Sequence, residues 1–223
     1  RKKRQNGAQK PVATADGYNN FTAKLGSDTR NIQTGGMYMP GYISRNRVML
    51  EFAYRSSFLV GAGVDAMADD MTRKGINISS KLKPGQKGKL ETFWDELAIW
   101  DGLNDNLKWS RLYGGAVLVV LLEGQDMSSP LKLDRIKGVM SLDRWMVNPS
   151  YYDLVTDYGP DFGKPKYYKV ITNQQGIPPW KIHHSRVIRM EGDTLPFQQA
   201  QTENGWGMSV VERIFERIEA FDT

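Results

Sequence analysis

The residues best suited to catalysis in this sequence are two adjacent histidines, His183 and His184. An imidazole can bind a metal ion or move a proton near neutral pH. Neighbouring residues on a strand point to opposite faces, so we do not expect the two rings to share a metal or form an acid–base pair. The nearest acid, Glu191, lies beyond the predicted strand, and Ser185 shows no sign of a catalytic triad. A hydrogen-bonded structural role is therefore the favoured interpretation.

A second cluster consists of three carboxylates, Asp65, Asp69 and Asp70, on a predicted helix. Asp65 and Asp69 are four residues apart and share a helix face, where they could hold a divalent cation if further ligands joined them. Arg73 and Lys74 follow one turn later and offer simple ion pairs instead. We favour ion pairing and predict no metal site.

The motifs of nucleotide-binding and nucleophilic enzymes are missing from this sequence. There is no cysteine, which excludes disulfides, thiolate zinc sites and a cysteine nucleophile. The pairs Gly35-Gly36 and Gly114-Gly115 do not fit a phosphate-binding loop, and no Gly-x-Ser-x-Gly elbow occurs. The sequence therefore predicts no catalytic residues, no cofactor and no enzymatic activity.

The net charge of +5 is concentrated at the start of the chain. Arg1, Lys2, Lys3, Arg4 and Lys10 supply five positive charges, and the remaining residues hold 25 basic and 25 acidic side chains. A domain that binds duplex DNA normally presents a basic face on its folded body. We interpret the first four residues as part of a solvated arm that could contact nucleic acid or a partner, and expect it to be dispensable for folding.

Aromatic and basic residues alternate in the second half of the chain, at 151–152, 164–169 and 180–181. Such alternation can stack nucleic-acid bases. Asp153, Asp157 and Asp161 lie among these residues and would repel phosphate. A half-buried sheet of tyrosines is the favoured interpretation.

The hydrophobic pattern predicts an α+β fold in which helices and strands are segregated. We expect an extended polar arm over 1–46, a folded domain over 47–207, and the start of a long helix over 208–223. The mean hydropathy is −0.51, and no apolar run approaches the roughly 20 residues that a membrane helix needs. The predicted helices are 47–73 (one helix, or two joined near 61–63), 90–112 and 208–222, with a polar turn over 81–89. The predicted strands are 76–78, 116–122, 138–142, 145–147, 166–171, 180–182 and 186–190.

Three sequence blocks carry a resemblance to a family of bacteriophage portal proteins. They read YRSSF at 54–58 followed by VDAMADDMTR at 64–73, then IHHSRVIRMEG at 182–192, and finally GWGMSVVER at 205–213. The blocks are similar to that family's motifs and occur in the family's order. Together they cover about residues 47–223.

The resemblance implies a wing domain with long helices and a small, mainly antiparallel sheet, leading into a stem helix. It implies a homo-oligomeric ring, usually a dodecamer, at the portal vertex of the virion, assembled in the host cytoplasm. Partners would be the major capsid protein, the terminase, head–tail adaptor proteins, and double-stranded DNA that passes without sequence specificity; no membrane is involved. Within that architecture we predict that Trp206 and Gly207 form the pivot between wing and stem, because glycine allows a backbone turn that other residues resist and tryptophan can anchor it. Gly207→Val should therefore disturb ring assembly or DNA packaging more than wing folding.

Two alternatives remain open. Some phage proteins with a portal-like region resemble anti-CBASS phosphodiesterases, which cleave cyclic nucleotides through two His-x-Thr motifs. This sequence has no such motif, because His183 and His184 are followed by Ser185 and Arg186. A nucleic-acid-binding phage adaptor is the other alternative, and it depends on the basic arm alone.

Overall fold

A computed structural model describes residues 42–76, 78–79, 83–132, 134–171 and 180–222. Gly41–Phe215 form one compact unit, whereas residues 216–222, which make up most of the last helix, belong to a second unit. The helices are α1 (Arg47–Ser56), α2 (Phe58–Thr72), α3 (Pro84–Glu96), α4 (Ile99–Tyr113), α5 (Phe197–Thr202) and α6 (Phe215–Asp222). The strands are β1 (Gly115–Leu122), β2 (Ile136–Asp143), β3 (Val147–Pro149), β4 (Tyr167–Val170), β5 (Lys181–His183) and β6 (Val187–Glu191).

The strands form two antiparallel sheets of three strands each. Sheet A has the order β2-β1-β6, and sheet B has the order β3-β4-β5. Short 3-10 helices cover Ile43–Arg45 and His184–Arg186. The predicted α+β class is confirmed. Within the described residues, no helix is both long enough and apolar enough to cross a membrane.

Sheet A is covered by α4 on one face. Gly102 of α4 lies so close to the sheet that a Cβ there would come within 2.6 Å of Val139 and 3.6 Å of Leu118. On the same face, Ser141 donates a hydrogen bond to the buried Asn106 at 3.3 Å. The small residue therefore sets the distance between helix and sheet.

The opposite face of sheet A contributes to a hydrophobic core shared with sheet B. Its buried members are Val117, Val119, Leu142, Val147, Tyr168, Val170, Ile182 and Trp206. Burying a side chain of this size contributes about 1.5–3 kcal/mol, so this cluster is a main source of the domain's stability. Trp206 belongs to neither sheet and lies just after α5.

The helix boundaries differ from the sequence prediction at three points. The first break lies at Ser57, where the backbone is extended (φ −97°, ψ 119°), rather than at 61–63. The second divides the predicted helix 90–112 at Ala98, whose φ of 48° is left-handed, and α3 begins at Pro84 inside the predicted polar turn. Proline suits the first turn of a helix because its missing N–H would be unpaired there.

The third difference concerns the predicted helix 208–222, which begins only at Phe215. The side chain of the buried Ser209 accepts a hydrogen bond from the Val211 N–H at 3.1 Å, and such local bonds compete with helix formation. The short helix α5 was not predicted.

The strand predictions are correct for β1 and close for four others. β1 and β2 contain the predicted 116–122 and 138–142, and β4, β5 and β6 lie within one residue of the predicted boundaries. The strand predicted at 145–147 is instead Val147–Pro149. Ile76 and Ile78 lie outside the strands, so the strand predicted there is wrong. The predicted arm lies mostly outside the described residues, although Ile43–Arg45 form a 3-10 turn.

Candidate functional site

The two histidines do not point apart as expected. Because β5 ends at His183 and a 3-10 turn starts at His184, the ring centroids lie 4.5 Å apart. The His183 Nδ1 atom accepts a hydrogen bond from the Ser185 N–H at 3.2 Å and lies 2.9 Å from the Ser185 hydroxyl. Burial disfavours the charged form of His183 and, together with the electrostatic effect of the neighbouring His184, Lys166 and Arg186, lowers the pKa of His183. Its geometry is that of a buried turn cap.

The carboxylates on α2 are engaged in ion pairs and hydrogen bonds. The Lys108 ammonium lies 2.9 Å from Asp69 and 3.9 Å from Asp65, and Asp70 pairs with Arg73 at 3.3 Å. Asn104 also donates to Asp69 at 2.8 Å. Within the described residues, no group of three or more His, Cys, Asp or Glu side chains could hold a metal ion. These contacts tie α2 to α4.

The aromatic residues of the second half are divided between the core and solvent. Tyr168 is 2% exposed and belongs to the core, whereas Tyr152 and Tyr158 are fully open to solvent. The Lys181 ammonium lies 3.9 Å from the centre of the Tyr167 ring, a cation–π contact. The Lys181 ammonium therefore already has a partner in the Tyr167 ring. Arg1, Lys2, Lys3 and Arg4 lie outside the described residues.

Trp206 anchors the chain segment that follows α5. The indole is 2% exposed and packs in the core cluster, and the Arg189 guanidinium lies 4.1 Å from the centre of its ring. Arg189 also donates a hydrogen bond to the Gly205 carbonyl. Gly115, the first residue of β1, lies so close to the ring that any Cβ there would collide with it.

Gly207 belongs to a set of glycines whose backbones touch. A Cβ on Gly207 would come within 2.6 Å of the Asp193 carbonyl oxygen and 3.1 Å of Gly192, and a Cβ on Gly114 would come within 2.5 Å of the Gly207 carbonyl oxygen. Gly192 is equally tight against Gly114 and Met208. We call these residues, Gly114, Gly115, Gly192 and Gly207 around Trp206, the glycine junction. It joins the end of α4, the start of β1 and the end of β6.

Gly207 allows two backbone segments to approach closely, whereas the tight turn lies just before it, at residues 204–205. Left-handed backbone occurs at Asn204 (φ 54°) and Gly205 (φ 68°), and Gly207 is not among the residues with positive φ. Met208 and Asp193 exchange two backbone hydrogen bonds of 2.9 Å, and the Val210 N–H donates to the Arg111 carbonyl at 3.0 Å. Because backbone packs against backbone here, a side chain at 207 would disturb folding of the compact unit that contains it. The expectation that ring assembly would suffer more than folding stays a prediction.

A charge network lies beside the glycine junction, with Arg144 and Glu203 buried and Arg45 about half exposed. Arg144 donates to Glu203 Oε2 at 2.8 Å, with side chains only 7% and 6% exposed, and Arg45 donates to Glu203 Oε1 at 2.5 Å. Arg144 also donates to the carbonyls of Tyr113 (3.1 Å) and Gly207 (3.2 Å). Burial alone would raise the pKa of Glu203, but the hydrogen bonds from Arg144 and Arg45 lower it overall. We call Arg45, Arg144 and Glu203 the charge network.

Contacts from Ser44 extend this region toward the start of the described chain. The Ser44 N–H donates to Glu212 at 2.8 Å, and the Ser44 hydroxyl donates to the same carboxylate. The hydroxyl oxygen accepts a hydrogen bond from the Ser209 N–H at 2.8 Å. Sequence reasoning missed Ser44 and the charge network, whereas the GWG triplet at 205–207 was a usable signal for the junction.

Residues 48–223 match the family described as "Phage portal protein". The chain belongs to this phage portal family. The match includes the glycine junction, both sheets and all six helices except the first residue of α1. The resemblance that the three sequence blocks carried is confirmed.

Curated relatives of this portal-family chain include proteins with two different names. An uncharacterized protein of Haemophilus influenzae is 26% identical over 211 residues, which cover 93% of this chain and 46% of that protein. Proteins named "Anti-CBASS protein Acb1" from a Caulobacter species and from Sphingomonas paeninsulae are 29% and 27% identical. They match 76% and 78% of this chain but only 27% and 28% of their own length. The chain thus spans less than half the length of these relatives.

Proposed function

We propose that this chain is the wing region of a portal subunit. Twelve subunits would form a ring at one vertex of the capsid, through which DNA is packaged and later ejected. The ring would dock the terminase and then the head–tail adaptor proteins, beside the major capsid protein. The observation that carries the proposal is the family match over residues 48–223.

Within this proposal, Trp206 and Gly207 act as a fixed anchor between wing and stem. Trp206 is held in the core, and Gly207 is held by backbone contacts on two sides. The charge network adds a hydrogen bond from Arg144 to the Gly207 carbonyl. Because packed interiors transmit strain, a fixed anchor of this kind would transmit mechanical force from the stem to the wing.

The proposed role involves no chemistry by this chain. His183 is a buried turn cap, Asp69 is ion-paired with Lys108, and Asp65 lies at 3.9 Å from the same ammonium. Nothing in the described part of the chain places a nucleophile, a base and an orienting acid together. The proposed role is structural.

Electron microscopy of negatively stained particles of the full-length protein would test the ring proposal. Closed rings with a central hole are expected, and their rotational symmetry gives the number of subunits. A population of monomers at concentrations well above those in an infected cell would contradict the proposal.

A second candidate is the portal-like region of an anti-CBASS phosphodiesterase, which the names of two relatives favour. The test is hydrolysis of cyclic oligonucleotides by the purified protein and by a His183→Ala variant, with His184→Ala alongside. We expect no turnover by any of the three. Hydrolysis that either substitution abolishes would replace the structural proposal with the enzymatic one.

A further inference from the structure

A chain of hydrogen bonds ties the loop between β1 and β2 to the turn that follows β5. We call residues 125–131 the β1–β2 loop and residues 183–186 the histidine turn. The Leu131 N–H donates to the Ser185 hydroxyl oxygen at 2.8 Å, and the His183 N–H donates to the Met127 carbonyl at 2.9 Å. The Ser185 hydroxyl in turn lies 2.9 Å from His183 Nδ1. The loop is therefore fastened to the two residues that surround this ring nitrogen.

Arg186 fastens the same loop from inside the protein. Its side chain is fully buried, and it donates to the Ser129 carbonyl at 2.8 Å and to the Gln125 side-chain oxygen at 2.7 Å. Among the described residues, no carboxylate oxygen lies within 4.0 Å of this guanidinium. The histidine turn thus holds the loop with a buried positive charge that has no carboxylate in contact.

The hydrogen bonds of His183 require an unprotonated Nδ1 atom. The Ser185 N–H points at this nitrogen at 3.2 Å, and a backbone N–H can only donate. With Nδ1 unprotonated, the Ser185 hydroxyl can donate to it as well and present its oxygen to the Leu131 N–H. A proton on Nδ1 would set one N–H against another and leave the Ser185 N–H without its acceptor.

The surroundings of His183 also oppose a positive charge on its ring. Only 5% of the residue is exposed, and the Tyr167 ring of β4 packs edge-on against the imidazole with centroids 5.4 Å apart. Within the described part of the chain, the charged groups that act on His183 are all basic. Burial first, then His184, Lys166 and Arg186, lower the pKa of His183 from its ordinary value of 6.5.

The carboxylates of the adjoining loops are engaged elsewhere. In the β1–β2 loop, Ser128 donates a hydrogen bond to Asp126, and in the loop before β4, Asp161 pairs with Lys164 at 2.9 Å. No carboxylate oxygen of the described residues lies within 4.0 Å of the His183 ring nitrogens. A proton on His183 would therefore meet no counter-charge in contact.

We propose that the histidine turn is an acid-sensitive latch, in which protonation of His183 releases the β1–β2 loop. Met127 of this loop packs against the hydrophobic core shared by the two sheets, so release uncovers apolar surface. Release also lets water reach the buried Arg186 guanidinium, because its partners Ser129 and Gln125 belong to the loop. The latch goes beyond the ring role, since it operates within one subunit whether or not rings form.

The direction of the pH effect follows from the two states of the loop. An open loop leaves His183 in water, where it titrates near its ordinary value of 6.5, whereas the closed loop binds the proton less readily. The closed state is therefore fully favoured above pH 6.5 and loses about tenfold in its equilibrium constant for each pH unit below that value, until the pKa of the closed state is reached. The effect of Glu203 is separate, because that carboxyl titrates below 4.5.

Hydrogen exchange of single amides, followed by NMR from neutral pH down to about pH 5, tests the latch. The Leu131 and His183 amides report on the loop, and the Val210 amide, which donates to the Arg111 carbonyl, reports on the rest of the domain. Protection factors correct for the intrinsic pH dependence of exchange. Those of Leu131 and His183 should fall by up to about tenfold per pH unit below 6.5, while that of Val210 stays constant. Constant protection at all three amides, or an equal loss at all three, would overturn the proposal.

Two matched variants assign the effect to His183. In His183→Asn the amide oxygen can accept from the N–H two residues on, as asparagine does in turns, but it takes up no proton in this pH range. Its Leu131 amide should stay protected from neutral pH to about pH 5. His184→Gln also removes one imidazole but keeps the His183 hydrogen bonds, so the loss of protection should persist. Wild-type pH dependence in His183→Asn, or its disappearance in His184→Gln, would contradict the latch.

The wild-type protein provides a check that needs no substitution. The ¹⁵N chemical shifts of the His183 ring report directly which nitrogen carries the proton. We expect an unprotonated Nδ1 at neutral pH and protonation in the same pH range as the loss of Leu131 protection. A proton on Nδ1 at neutral pH would refute the latch even if His183→Asn did not fold. The ring proposal is tested separately by microscopy.

Discussion

The charge network yields the sharpest prediction for stability. Glu203→Gln removes the negative charge that both Arg45 and Arg144 contact but keeps the size of the side chain. The Arg144 guanidinium, 7% exposed, is then left without its counter-ion, although it still donates to two carbonyls. Removing one partner of a buried pair costs about 3–5 kcal/mol. Because the amide oxygen retains one hydrogen bond, we expect about 3 kcal/mol, which lowers Tm by about 6–12 °C in a domain of this size.

The dependence on pH follows from the lowered pKa of Glu203. A carboxyl whose pKa is lower in the folded than in the unfolded chain stabilises the fold above its ordinary value of 4.5. That contribution is lost as the pH falls through the folded pKa. The difference in free energy of unfolding between the wild type and Glu203→Gln should therefore reach its full size at pH 7 and should shrink below about pH 4.

Thermal and denaturant unfolding of three variants would check this reasoning. Glu123→Gln is the control, because Glu123 pairs with Lys137 at 3.0 Å while both side chains are about half exposed, and it should cost under about 1 kcal/mol. Adding Arg144→Met to Glu203→Gln should recover part of the loss, since no buried charge is left unpaired. If Glu203→Gln is no more destabilising than the control at pH 7, the charge network does not hold this junction.

Further predictions concern the junction and the arm. Gly207→Ala should destabilise the compact unit by about 1–3 kcal/mol in denaturant unfolding because its Cβ would press on the backbone of Asp193, whereas Gly138→Ala, with open space around it, should be neutral within about 0.5 kcal/mol. Equal stability of the two variants would show that the close approach is not tight. Gly207→Val in the full-length protein should also reduce ring formation measured by sedimentation, and normal rings would argue against the anchor role. Deletion of residues 1–10 should change Tm by under about 2 °C, and a loss of several degrees would show that the basic arm supports the fold.

The sequence was most informative where one local property determined the structure. β1 was predictable because its eight residues are nearly all apolar, with the first five buried and the last three partly buried. The end of α4 was predictable because Gly114 takes a left-handed conformation (φ 82°) that few other residues adopt readily. In both cases the information lies within a few neighbouring residues.

The missed features depend on contacts between distant residues. The break at Ala98 has no glycine or proline to mark it, and packing of Trp94 against Trp100 accompanies the turn. Glu203 meets Arg144 across 59 positions and Arg45 across 158, so no local pattern could reveal the network. The GWG triplet indicated a special backbone at 205–207, but that Gly207 packs against Gly192 required the structure.

The late position of Trp206 affects how the chain folds during its synthesis. β1 ends at Leu122, yet the indole that packs in its core cluster comes 84 residues later. At roughly 5–20 residues per second, the ribosome needs about 4–17 s to make that interval. For that time a nascent strand of consecutive aliphatic residues has emerged without one of its core partners, and such strands are prone to aggregate. Productive expression should therefore depend on chaperones that shield residues 115–122 until Trp206 emerges.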